Sequence, residues 1–278
     1  MAANTATSVK LVEPKDATFE LALEIATIFY DGFQKDPLTK LLFGPRYAIP
    51  TPPPSGTLGD YNKVLKLLAY GQWYRLIDPN TKTWVLYEGD RPVGFCMWFV
   101  PRDKSVALTL WQQIKSIYAC ALAVFWKNWY FRFRKNPPFS NPAFFENFRE
   151  AEEYVGYKEL LVPEKELAHM SREELANARY SKKEYSWCQL VALRSDCHGK
   201  GYGEKMFKHS MENMVRYEPT FKDGQVQSKG PAKFALFATQ PGRKLYEKLG
   251  WKVVDVFKKT MDDGFLMEYP LMVYTWND

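Results

Sequence analysis

The 278-residue chain is 46% hydrophobic and 25% charged, which supplies ample core for one large domain with insertions or two small ones and excludes a disordered chain. Its net charge of +6, from 38 basic against 32 acidic residues, is too mild an excess to indicate nucleic-acid binding. The four cysteines, Cys96, Cys120, Cys188 and Cys197, have no metal-type spacing, and three stand in apolar segments, so the expectation is a metal-free protein in a reducing compartment.

The opening MAANTATSVK has neither the apolar core of a secretory signal nor an Arg-rich amphipathic pattern, and a cytoplasmic location is expected. SVKLV reads as a short strand. In DATFELALEIATIFYDGF, Ala22, Ile25, Ala26, Phe29 and Phe33 recur at helical spacing, with Asp16 or Thr18 as cap. Five prolines and three glycines make GPRYAIPTPPPSGTLGD a loop. A second helical pattern follows from Asp60, and then TWVLYE and RPVGFCMWFVP form a hairpin across Gly89-Asp90.

Residues 103–184 differ in character. ALTLWQQIKSIYACALAVFWKNWYFRFRK begins amphipathic, with Trp111, Ile114, Tyr118 and Phe125 on one stripe, and becomes apolar all round beyond Tyr118. Gln112, Gln113 and Lys115 interrupt the run and leave roughly 11 uncharged residues where a membrane span needs about 20. A buried or lid helix is expected, and an interfacial helix is the alternative. The charged stretch beyond NPPFSNP reads as a solvated helical insertion.

The last third alternates again. YSWCQLVAL is a strand, GEKMFKHSMENMVRY a helix and KFALFAT a strand. PGRKLYEKLG is a short helix with Pro241 in its first turn and Gly250 at its end, and two strands close the chain. This order argues for a mixed α/β sheet.

Between the YSWCQLVAL strand and the following helix lies DCHGKGYGEKM, with Gly199, Gly201 and Gly203 in five positions. A strand, a glycine-rich turn and a helix start together make an anion site, because several backbone N–H groups converge where the helix dipole is positive. A P-loop is ruled out, since Glu204-Lys205-Met206 supplies no hydroxyl for magnesium, and the glycine spacing is wrong for a dinucleotide fingerprint.

The turn instead fits the pattern Gln/Arg-x-x-Gly-x-Gly/Ala at both glycines of His198-Gly-Lys-Gly201-Tyr-Gly203, and departs from it at His198. Downstream, LFATQPGRKLYEKLGW matches a second signature, a strand followed by a helix reading Leu-Tyr-Glu-Lys-Leu-Gly-aromatic. Together these resemble the GNAT superfamily of acyl-CoA-dependent N-acetyltransferases over 185–257. The resemblance does not cover 102–184. It implies an α/β (α+β) fold, with a mixed, mostly antiparallel central sheet flanked by helices. The expected organisation is a single domain over 1–278 with a large helical insertion at about 103–184.

The resemblance also implies acetyl-CoA as cofactor. Its diphosphate would lie on His198, Gly199, Lys200, Gly201, Tyr202, Gly203 and Glu204, with charge added by Lys200 and Lys205. A backbone N–H between Val191 and Leu193 would polarise the thioester carbonyl. Thr239 stands where the family often has asparagine beside the cofactor, and Tyr246 is the implied acid for the departing thiolate. No carboxylate lies on YSWCQLVAL, so the base is open among water, Glu184, Glu88 and a residue of the insertion. FQKDPLTKLLF resembles an acceptor-side stretch of antibiotic acetyltransferases, which makes Asp36 a candidate beside an Asp-Pro turn.

The leading expectation is an acetyltransferase for a small, aromatic or lipophilic amine, its pocket walled by Trp111, Trp126, Trp129, Tyr130 and Phe131 unless these are core. A protein or peptide acetyltransferase and a non-catalytic, membrane-associated acyl-CoA binder remain alternatives, the latter through FWKNWYFRFRK.

Overall fold

In a computed structural model of the chain, the described residues are 6–13, 15–34, 36, 42–44, 46–78, 80–99, 109–139, 185–214, 220–222, 225–227, 233–260, 264 and 266–276. Glu184, the segment 140–184 and residues 37–41 of the Asp-Pro stretch lie outside them.

The expected elements form nearly where the periodicity puts them. Strand β1 (Thr7–Leu11) leads to helix α1 (Phe19–Gly32), whose cap is Thr18: its hydroxyl accepts the Leu21 amide at 3.2 Å. Helix α2 (Leu58–Ile77) is followed by β2 (Thr81–Glu88) and β3 (Arg91–Phe99), and Gly89 turns between them at φ 64°. Helix α3 (Leu110–Lys127) opens with a capping box between Thr109 and Gln112 and continues as a π-helical stretch, Asn128–Phe133. Then come β4 (Tyr185–Leu193), a short 3₁₀ turn at Ser195–Cys197, α4 (Tyr202–Met214), the small ribbon β5 (Thr220–Lys222) and β6 (Gln225–Gln227), β7 (Lys233–Phe237), α5 (Gln240–Lys248), β8 (Lys252–Thr260) and β9 (Leu266–Thr275).

Seven strands form one sheet in the order β1-β2-β3-β4-β7-β9-β8. The β4–β7 pair is parallel, while β1–β2, β7–β9 and β8–β9 are antiparallel, so the expected mixed, mostly antiparallel sheet flanked by helices is present. The β4–β7 register runs from Tyr185↔Lys233 to Cys188↔Leu236, and β4 continues to Leu193 beyond the last pair.

The chain divides into two compact units. The first comprises Met1–Met97, Ala107–Phe145 and Leu190–Met206. Its core joins the inner face of α1 (Ile25, Ile28) to Val85, Phe95, Met97 and Ala192. A second cluster in this unit packs Tyr30, Phe43, Tyr47 and Tyr61 with Tyr130 and Phe131. Two of the five aromatics expected to wall an acceptor pocket are therefore core residues. The second unit comprises Trp98–Val106, Glu146–Gln189 and Phe207–Asp278. It is built on aromatic contacts: Trp98 stacks on Phe207 at 5.3 Å and meets Phe234 edge-on at 5.3 Å, and Trp251 lies 5.8 Å from Tyr274. Such pairs contribute about 0.5–1.5 kcal/mol each beyond the area they bury. Among the described residues no helix is long and apolar enough to cross a membrane.

Candidate functional site

The glycine turn sits wholly in the first unit, and its backbone accounts for its sequence. Gly199 and Gly201 have φ of +78° and +77°, in the left-handed region, where an L side chain costs roughly 1–2 kcal/mol. A Cβ added to either would meet nothing within 4 Å. Glycine is needed here for backbone conformation, and the space in front of it is open to a ligand. Gly203 lies in the first turn of α4, which begins at Tyr202, so the amides of the turn and of the helix start share one end.

The turn is held from behind by α1 and β3. Asp31, on the last turn of α1 and only 6% exposed, accepts hydrogen bonds from the Ser195 amide at 2.7 Å and the Ser195 hydroxyl at 3.0 Å. The guanidinium of Arg194 donates to Glu24 at 2.6 Å and to the Pro92 carbonyl at 3.0 Å, while the Arg194 amide donates to the Val93 carbonyl at 2.8 Å. Gly32 and Gly94 permit the end of β4 to seat between these elements. A Cβ on Gly32 would run into the Leu193 carbonyl, and one on Gly94 would meet the Leu193 side chain and lie 3.1 Å from the Ala192 carbonyl. In the sequence Asp31 and Gly32 are only a polar residue and a glycine at the end of a helix, which reads as an ordinary terminus, while Gly94 stands inside a strand and Arg194 directly after one, with no local pattern to mark them.

The predicted phosphate contacts divide by what their side chains already do. His198 is exposed, and its Nε2 donates to the Leu193 carbonyl across 3.2 Å, so this side chain braces the turn. Lys200 is exposed on the turn with its ammonium 5.7 Å from the centre of the Tyr202 ring. The Tyr202 hydroxyl donates to Glu88 at 2.6 Å, and that bond, ahead of burial, raises the phenol above its ordinary value. Glu88, one of the candidate bases, is thus tied to the first turn of α4. Lys205 is committed as well: its ammonium donates to the Thr7 carbonyl at 2.9 Å and to the Thr7 hydroxyl, which ties α4 to β1. Glu204 is half-buried within the same helical turn.

Charge around the turn is mostly paired. Arg91 donates to Asp196 at 3.0 Å; burial opposes the Asp196 charge, but Arg91 outweighs it and holds the carboxyl below its usual range. Burial first, and Asp196 second, push the buried Cys197 thiol up, so this cysteine is a poor nucleophile. Val191 and Leu193 are half-buried at the end of β4, beyond the last pair with β7.

Thr239 and Tyr246 belong to the second unit. Thr239 caps α5, its hydroxyl accepting the Gly242 amide at 3.3 Å. Tyr246 is 7% exposed, and its ring lies 4.9 Å from Phe207 and 6.0 Å from Trp251. A Cβ on Gly242 would come within 3.1 Å of that ring, so the glycine before the phenol leaves room for it. Asp36 closes a turn after α1, its amide donating to the Phe33 carbonyl at 2.9 Å. No group of residues able to hold a metal is found among the described residues.

No protein-family model matches the chain, and no curated protein matches it in sequence. Several solved structures do align with it along nearly their whole length. One, a histone acetyltransferase and related acetyltransferase from Corynebacterium glutamicum, is 14% identical, with 96% of this chain and 95% of that one covered and a TM-score of 0.46. A GNAT-family acetyltransferase from Streptococcus pneumoniae is 9% identical, with coverage of 98% and 100% and a TM-score of 0.43. A mosquito arylalkylamine N-acetyltransferase-like protein is 11% identical, with coverage of 97% and 100% and a TM-score of 0.43.

Proposed function

We propose, from a glycine turn and a downstream strand–helix signature that resemble those of the GNAT acetyltransferases, that this protein transfers an acetyl group from acetyl-CoA to the amine of a small molecule. The observation that carries the reading is the pair of left-handed glycines, Gly199 and Gly201, set between the end of β4 and the start of α4 with open space in front of both. Backbone amides presented there, at the positive end of a helix dipole, suit a diphosphate, and Lys200 adds a cation.

When bound, acetyl-CoA supplies the acetyl group as a thioester. The chain's residues then have separate tasks. Amides of 199–204 hold the diphosphate. An N–H between Val191 and Leu193 would donate to the thioester carbonyl and stabilise negative charge on its oxygen; losing one such donor typically costs about 3–4 kcal/mol. Attack by the amine would join its nitrogen to the acetyl carbon, and loss of the CoA thiolate would break the C–S bond. The proton lost by the amine would leave to water or a base, and Tyr246 is, by resemblance, the candidate to supply one to the departing thiolate. The acceptor is proposed to be a lipophilic or aromatic amine.

Incubation of the full-length chain with acetyl-CoA and a panel of arylalkyl and alkyl amines, with released thiol as readout, tests this reading. Amine-dependent thiol release is expected. CoA binding without release for any amine would leave a binding protein.

A further inference from the structure

Helix α3 turns a mixed polar and apolar side inward. It packs along α2, and Ala119 is buried while Gln112, Lys115, Ser116, Leu122, Ala123 and Trp126 are half-buried; the Lys66 ammonium of α2 lies 4.3 Å from the Trp126 ring centre. On the opposite side Leu110, Ile114, Ile117, Ala121 and Val124 recur at helical spacing and are all exposed, with Phe125 beside them. Ile117 is 69% exposed and Phe133, in the π-helical stretch, 71%. Trp129 adds an exposed ring that stacks on Phe125. A surface helix ordinarily turns such a stripe to the core, and a contiguous exposed apolar patch marks an interaction site.

Charge selects the partner. From Thr109 to Phe139 the chain contains no aspartate or glutamate, while Lys127, Arg132, Arg134 and Lys135 are exposed around one end of the stripe. An apolar stripe with exposed aromatic rings and one-signed charge beside it complements a surface that is apolar beneath and anionic above. We propose that the exposed face of α3 and its π-helical extension docks on an anionic bilayer surface, with Leu110, Ile114, Ile117, Val124 and Phe125 toward the acyl chains and the four cations at headgroup level. The helix lies in the interface, in keeping with its hydropathy falling short of a span. This goes beyond the acyl-transfer reading and uses no residue of the glycine turn.

The experiment is co-sedimentation of the full-length chain with phosphatidylcholine vesicles, with and without phosphatidylserine. Binding is expected only with phosphatidylserine and is released by salt. Ile117→Asp with Val124→Asp should weaken it at least about tenfold through the apolar term. Arg132→Gln with Arg134→Gln should weaken it about tenfold through the electrostatic one. All four positions are exposed, and thermal melts followed by circular dichroism should match the parent. Absence of sedimentation, equal binding to uncharged vesicles, or full retention in both folded variants would overturn the proposal. So would a concentration-dependent dimer, without vesicle binding, that Ile117→Asp with Val124→Asp dissolves, because a second copy would then cover the face.

Discussion

Asp31 accepts two hydrogen bonds from Ser195, one from its amide and one from its hydroxyl, so the last turn of α1 fixes the point where the chain leaves β4 for the glycine turn. Replacing Asp31 with alanine strands a partly buried N–H and should cost about 1–3 kcal/mol of stability. It should also lower CoA affinity, because the turn loses its anchor. Asp31→Asn keeps an oxygen for the Ser195 amide and should lose less of both. Urea denaturation and calorimetric titration with CoA check the pair; an Asp31→Ala protein that binds CoA as the parent does would remove Asp31 from the account.

Gly201 separates backbone from ligand. Asparagine tolerates the left-handed region, so Gly201→Asn should fold with little loss, yet its side chain enters the open space in front of the turn. CoA affinity should fall at least about tenfold through steric exclusion of the diphosphate. Unchanged affinity in a folded variant would place the ligand elsewhere.

Gly32→Ala tests the seat of β4. Its methyl would press on the Leu193 carbonyl, a backbone atom that cannot swing aside. A stability loss of about 1–3 kcal/mol is expected, as for overpacking elsewhere, and it should be visible as a lowered melting temperature.

Tyr246→Phe keeps the ring among Phe207 and Trp251 and removes only the hydroxyl. Melting temperature and CoA affinity should hold while turnover drops about 10²-fold, the lower end of a general-acid contribution. Parent-like turnover with chemistry rate-limiting would leave Tyr246 a packing residue.

The Tyr30 hydroxyl accepts the Ile49 amide at 2.6 Å and donates to the Tyr47 carbonyl, and burial pushes its pKa up to about 12. Tyr130 is also pushed up to about 12, by burial and then by its hydrogen bond to Asp60. An unfolded tyrosine ionises near 10, so the neutral phenols favour the fold fully below about pH 10, and that stability is lost as pH rises toward about 12. Urea midpoints should therefore fall steeply above about pH 10, and less steeply in Tyr30→Phe. Parallel declines would show that Tyr30 is not the group responsible.

The fold was legible because its signals are local. YSWCQLVAL forms the strand read from it, Tyr185–Leu193, and Pro241 and Gly250 bracket a helix at Gln240–Lys248. The glycine turn was legible for the same reason, since left-handed backbone demands glycine. What supports the turn was not, because Asp31 and Ser195 are 164 positions apart and Tyr202 and Glu88 are 114 apart. The contacts of Lys205 with Thr7 and of His198 with the Leu193 carbonyl are likewise not recorded by spacing beside the glycines. For α3, the stripe read from the sequence, Trp111, Ile114, Tyr118 and Phe125, shares Ile114 and Phe125 with the exposed face, whereas Tyr118 lies 6.2 Å from Trp73 of α2, a neighbour that spacing does not record.

Amide hydrogen–deuterium exchange with and without CoA tests the central claim most directly, because it reads the backbone groups assigned to the diphosphate. Slowed exchange concentrated in 199–204 and at the start of α4 is predicted on CoA addition. CoA binding that leaves those amides exchanging at the unliganded rate would contradict the assignment of the glycine turn.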